Sequence, residues 1–157
     1  MITIPSSTTS ALKEWASVIA ALAGGRQLVL IRKGGLIEPG TGFELISPSF
    51  IFYPTFEHQT VNYVRPEFQA SFERILADRA PQGSVRVSLF GIATASTQVN
   101  DPSIVERLSP FHIYNDAFLS QRLKWQPEMP LVIAVIRAYR LPTADLPVAP
   151  HYAGCKS

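Results

Sequence analysis

The chain has 157 residues, enough for one domain, and its 46% hydrophobic, 10% aromatic and 17% charged residues exclude intrinsic disorder as the main state. Its 14 lysines and arginines against 12 aspartates and glutamates give a formal charge of +2, too small to establish a polyanionic partner. The single cysteine excludes an internal disulfide and does not suit a zinc site. No cofactor and no bound metal are expected.

The N-terminal residues 1–9 are rich in serine and threonine and predict a flexible leader before a single globular domain over residues 10–157. They lack the basic start and apolar core of a secretory signal, so we expect a cytoplasmic protein. The longest run without charged residues, 87–100, is shorter than the ~20 residues of a membrane helix, and no membrane partner is expected.

The first predicted element is a helix over residues 11–23 with Ser10 as its N-cap, because Leu12, Trp15 and Ile19 recur at helical spacing. The later pattern predicts strands at 27–31 and 49–53, an amphipathic helix at 66–79, a strand at 84–93, short helices at 102–108 and 115–123, and a strand at 130–140. The order does not alternate regularly, and no glycine-rich nucleotide-binding motif occurs. We therefore predict an α+β fold whose mixed or largely antiparallel sheet can curl toward a barrel.

The turn formed by Arg32, Lys33, Gly34 and Gly35 follows a predicted buried strand. Glycines can adopt the positive φ angles that direct successive backbone N–H groups toward one anion, and two cations stand beside them. This pattern predicts a site for a phosphate or a carboxylate. A hairpin turn with solvated cations is the alternative interpretation.

The loop after the second predicted strand contains Thr55, Glu57, His58 and Gln59. Loops after strands often carry sites, and His58 can act as a base or donor that Glu57 or Thr55 orients. Alternatively, His58 and Gln59 satisfy buried backbone groups where the chain turns. A metal-dependent nuclease core commonly has lysine two positions after an acidic residue, but no acidic residue of this chain has lysine there. Two variants with glutamine occur, Glu57-His58-Gln59 and Glu67-Phe68-Gln69.

A third segment joins Arg122, Lys124 and Trp125, with His112 upstream. Cations beside aromatic rings are typical of nucleic-acid contacts, where the cations bind phosphates and the rings stack on bases. The alternative is a short helix whose Trp125 anchors the following strand while the cations extend to solvent. His112 lies before that helix, so it does not complete a metal-ligand cluster.

Several segments, taken in order, resemble one known family. They are residues 11–15, 32–35, 52–59, 112–114, 122–125, 130–131 and 137–139. Together they resemble the uncharacterised bacterial and archaeal domain of unknown function 1802. Some members of that family occur with restriction endonuclease domains, so the resemblance implies a link to restriction–modification. It implies no catalytic residue, since none is established for the family.

The leading hypothesis is a small DNA- or RNA-binding module, or a restriction-associated accessory domain, with a polar and partly basic cleft. Arg32, Lys33 and the amides of Gly34 and Gly35 would hold phosphate. The alternatives are a metal-dependent nuclease or hydrolase centred on Glu57-His58-Gln59, and a protein-interaction domain without a small-molecule site. Convergence of the polar residues on one pocket favours the first hypothesis, whereas dispersal over separate faces favours the last.

Overall fold

One mixed sheet organises the fold in a computed structural model that describes residues 4–33 and 48–148. Its strands are β1 (Ala11–Trp15), β2 (Val29–Arg32), β3 (Ser49–Thr55), β4 (Ser84–Val99) and β5 (Leu131–Pro147), in the spatial order β1-β3-β4-β5-β2. β1 and β3 are parallel, and the other neighbouring pairs are antiparallel. The helices are α1 (Ala16–Ala23), α2 (Pro66–Ala77), α3 (Pro102–Arg107) and α4 (Asp116–Lys124). The α+β prediction is therefore confirmed.

The first element differs from the sequence prediction. Ala11–Trp15 is strand β1, and the helix begins only at Ala16. β1 lies parallel to β3, with Leu12 opposite Phe52 and Trp15 opposite Thr55. Strand pairing and the burial of Leu12 and Trp15 outweigh the helical spacing, because tertiary contacts override a weak local propensity.

The sheet curls, so that its two edges approach each other, but it does not close into a barrel. β1 and β2 are its two edge strands, and no backbone pairing joins them in the described part of the chain. Arg32 of β2 nevertheless reaches β1, where its Nη1 lies 3.0 Å from the carbonyl oxygen of Lys13 and 2.8 Å from Oε2 of Glu14. The two edge strands are therefore close enough for one arginine side chain to bridge them. We call this gap, between Lys13–Trp15 and Ile31–Lys33, the seam.

The two longest strands, β4 and β5, pair along almost their whole length. Val87 lies opposite Ala144 and Leu89 opposite Arg140, so β5 has two extra residues between these pairs. Pro142 falls inside this bulge, where its missing N–H costs no ladder hydrogen bond. The bulge increases the local twist, which helps an open sheet to curl.

A hydrophobic core joins the sheet to all four helices. The helices contribute Val18, Phe72, Val105 and Phe118, each nearly or completely buried, and the strands contribute residues such as Leu30 and Leu89. Among residues 4–33 and 48–148, no helix has the length and hydropathy needed to cross a membrane.

Gly91 of β4 generates the first testable prediction, because a side chain does not fit there. A Cβ atom would lie 2.6 Å from Cε2 of Phe52 and 3.0 Å from Cε2 of Phe50, and both rings are buried. We expect Gly91→Ala to lower the free energy of unfolding by about 1–3 kcal/mol, measured by urea denaturation. Gln98→Ala, at an exposed position of the same strand, should change it by less than about 0.5 kcal/mol. Equal losses in the two variants would contradict the steric argument.

Candidate functional site

A small pocket of about 50 Å³ lies in the seam, and we call it the seam pocket. Its lining residues are Lys13, Glu14, Trp15, Ile31, Arg32, Lys33, Thr55, Tyr114, Phe118 and Arg122. Four of them are cations and one is a carboxylate, so the lining is net positive. The space is large enough for a few water molecules or for a small anionic group.

Arg32 and Glu14 form a largely buried ion pair across the seam. Their side chains are only 15% and 8% exposed, and their closest atoms are 2.8 Å apart. The other oxygen of Glu14 accepts the backbone N–H of Trp15 at 2.8 Å, which holds the carboxylate in place. Both hydrogen bonds from Arg32 to β1 are donated by Nη1. The guanidinium also carries N–H donors on Nε and Nη2, which these two bonds do not use.

Lys33 is buried and does not point into solvent as a turn cation would. Its Nζ donates to the carbonyl oxygen of Gln126 at 2.7 Å, and Gln126 has a left-handed φ of 46°. This contact ties the end of β2 to the turn after α4. Lys33 therefore contributes charge beside the pocket while its ammonium group already has a protein partner.

Arg122 is positioned by aromatic rings. Asn115 is the N-cap of helix α4, and its side chain accepts the N–H of Phe118 at 3.1 Å. One turn later, the guanidinium of Arg122 lies 5.2 Å from the Phe118 ring centre and 5.9 Å from that of Trp125. Its buried Nε has no hydrogen-bond partner among the described residues. Cation–π contacts thus hold Arg122 at the pocket, and no carboxylate of the described residues forms an ion pair with it.

Tyr114 adds a buried hydroxyl to the pocket lining. Its ring stacks on Phe118 with centres 3.9 Å apart. Burial raises the pKa of this hydroxyl far above its usual range, and the negative charge of Glu14 acts in the same direction. Arg32 and Arg122 oppose this shift but do not cancel it. Tyr114 is therefore a neutral hydrogen-bonding group and not a base.

The four residues predicted to lie in one loop separate, because Thr55 is the last residue of β3 and only the other three follow it. Thr55 lines the seam pocket, and its Oγ1 accepts the N–H of Glu57 at 3.1 Å. Glu57 and His58 are exposed, and His58 has a φ of 59°. Gln59 instead supports α1, because its Oε1 accepts from the backbone N and the Oγ of Ser17 at 3.3 and 3.2 Å.

The described residues contain no group of three or more His, Cys, Asp or Glu side chains that could hold a metal. The nuclease hypothesis is therefore unsupported.

The other predicted site residues are dispersed. Lys124 is exposed, and Trp125 is half-buried beside Arg122. Gly34 and Gly35 lie outside the described residues. Arg32, Lys33, Thr55 and Arg122 come together in the seam pocket, and Glu14 and Tyr114, which are not among the predicted site residues, line it with them. Glu14 lay in the segment predicted as helix, and nothing in the sequence showed that it would face Arg32.

His112 lies in the core, where a ligand cannot reach it. Its ring is completely buried, and neither ring nitrogen has a hydrogen-bond partner within residues 4–33 and 48–148. The guanidinium of Arg65 donates to its backbone carbonyl at 2.6 Å. Burial, reinforced by the positive charge of Arg65, lowers the pKa of His112 from 6.5 to about 4. The imidazole is therefore neutral near pH 7.

The Glu14–Arg32 pair can be tested by a double-mutant cycle with Glu14→Gln and Arg32→Gln. We expect a coupling energy of about 1–3 kcal/mol in urea unfolding, because little water screens the pair. The matched control is the exposed pair of Arg86 and Asp145, which are joined by two hydrogen bonds of 2.8 and 3.0 Å. Its coupling should be clearly smaller, because solvent screens it. A larger coupling in the exposed pair would contradict the assignment.

The buried imidazole predicts a pH dependence of stability. Between pH 6.5 and about 4 the unfolded chain binds a proton at His112 and the folded chain does not, so stability falls as the pH falls. The contribution is at most about 1.4 kcal/mol per pH unit, and His112→Leu should remove it from the urea-unfolding profile. His58→Gln, at an exposed histidine, should retain the wild-type profile. An unchanged slope in His112→Leu would refute the role of His112.

Comparisons with known proteins place the chain in a family and relate its fold to solved structures. The family described as "Domain of unknown function (DUF1802)" matches residues 11–157. The crystal structure of ASCH from Zymomonas mobilis is 14% identical, with a TM-score of 0.50 over 81% of this chain and 65% of that chain. A mutant of that protein is 12% identical, with a TM-score of 0.50 over 81% and 67% of the two chains.

The similarity to ASCH concerns the fold alone, because sequence identity is so low. This chain spans about two thirds of the length of those structures. None of the curated proteins matches the sequence. The family match covers nearly the whole chain, and it agrees with the resemblance found in the sequence. The chain therefore belongs to the DUF1802 family.

Proposed function

We propose that this protein binds nucleic acid and that the seam pocket contacts a phosphate group. One observation carries the proposal: Arg32 and Arg122, 90 positions apart in sequence, line the same pocket beside Lys13 and Lys33. Glu14 is the single carboxylate in that lining, and Arg32 pairs with it. The remaining positive charge faces a space that accepts an anionic group.

The two arginines are held in place before any ligand arrives. Arg32 is fixed by Glu14 and the carbonyl of Lys13, and Arg122 lies against the rings of Phe118 and Trp125. A held side chain loses less conformational entropy on binding, so the pocket can contact phosphate without a large net charge on the whole chain. This supports phosphate binding even though the whole chain has a formal charge of only +2.

A restriction-associated role would make duplex DNA the expected partner. Binding to RNA alone would favour RNA processing instead. The shared fold with ASCH does not decide between them, because the likeness is limited to architecture. Binding of duplex DNA and of RNA, measured side by side, distinguishes the two roles.

The proposal predicts salt-dependent binding, measured by fluorescence anisotropy with labelled DNA and RNA between 25 and about 200 mM salt. Each lost phosphate contact reduces the slope of log K against log salt by about one unit, and we expect this reduction in Arg122→Ala. Arg107→Ala removes the same charge from an exposed position on α3 and should leave the slope unchanged. Absence of binding to every nucleic acid at the lowest salt would overturn the proposal.

A further inference from the structure

A second groove lies next to the seam pocket, at the end of β3. It has a volume of about 400 Å³ and shares Lys13 and Thr55 with the pocket. Its other walls include Phe56 and Arg79. We call this groove the β3 trench. Because the two spaces share walls, a chain-like ligand whose phosphate occupies the pocket can extend into the trench.

Arg79 is one of three charged residues that line the trench, together with Lys13 and Glu57. It is exposed, its guanidinium lies 4.3 Å from the centre of the Phe56 ring, and it makes no ion pair among the described residues. The nearby Arg86 differs, because the carboxylates of Asp145 and Asp78 neutralise it. Arg79 therefore retains its charge where a ligand can reach it.

The stacking geometry indicates what Arg79 can recognise. A guanidinium is a plane with two faces, and the central carbon of the Arg79 group lies over the Phe56 ring, 4.3 Å from its centre. The opposite face can stack on a nucleobase, while the N–H groups on the edge can bind a neighbouring phosphate. A base can stack on that face of the guanidinium only when its own faces are not covered by the neighbouring base pairs of a duplex.

We infer that the seam pocket and the β3 trench are consecutive subsites for single-stranded nucleic acid. The pocket holds a phosphate, and the adjacent base stacks on Arg79, which Phe56 supports from the other side. This inference rests on the proposed function, and it adds the preference for an unpaired strand. It also assigns a role to Phe56 and Arg79, which lie outside the seam pocket.

The inference is tested by anisotropy with a labelled eight-nucleotide single strand, as DNA and as RNA, and with the matching duplex. We expect Arg79→Ala to weaken single-strand binding about tenfold, in line with the loss of one stacked base. Arg79→Lys keeps the positive charge but removes the planar guanidinium group. We therefore expect it to weaken single-strand binding nearly as much as Arg79→Ala does. Phe56→Leu removes the supporting ring and should weaken single-strand binding as well, provided that its thermal unfolding matches the wild type. Arg107→Ala is the control for the loss of one exposed positive charge.

The possible outcomes separate the two proposals. Tighter binding of the single strand than of the duplex, with the expected losses at Arg79, supports the inference. If wild type binds the single strand and Arg79→Ala behaves like Arg107→Ala, the trench assignment is wrong while the pocket proposal stands. Equal affinity for duplex and single strand also overturns the inference. Failure of the wild-type chain to bind any of these oligonucleotides overturns both proposals.

Discussion

The bridge from Arg32 to β1 is the interaction on which the rest of the structure depends. A curled sheet that stops short of closure leaves two edge strands facing each other, with backbone groups that lack strand partners. Arg32 spans that gap through a carbonyl and a largely buried carboxylate. The same gap is the seam pocket, so the contact that joins the edges of the sheet also places a cation at the candidate site. Loss of the bridge would affect both stability and ligand contact.

Four positive side chains around the two candidate subsites are held in three different ways, and the differences determine their roles. Lys33 is buried against a carbonyl, Arg32 is paired with an acid, and Arg122 and Arg79 lie on aromatic rings. A ring supports a guanidinium without neutralising it, whereas a carboxylate cancels its charge. The ring-supported arginines are therefore the ones best suited to an anion. A composition with few charged residues can still produce a positive site when its cations are placed in this way.

Local sequence patterns predicted much of the fold but only part of the site. Alternation over 84–93 located β4, and Asn115 marked the start of α4, because both signals arise from neighbouring residues. The helical spacing of Ala11–Trp15 was misleading, because pairing with β3 is a tertiary effect. The basic turn and the Arg122 segment were recognised separately, but their convergence depends on how the sheet curls. Arg79 carried no sequence signal, since its importance comes from the Phe56 ring beneath it.

The position of β2 constrains when the site can form during synthesis. β2 supplies Arg32, yet its only strand neighbour in the described sheet is β5, with Arg32 opposite Val132. About a hundred residues separate the two strands, so a nascent chain exposes β2 without a partner until β5 has left the ribosome. The seam pocket is therefore among the last features to assemble. An incomplete chain cannot present it, and occupancy of the pocket would distinguish finished molecules from unfinished ones.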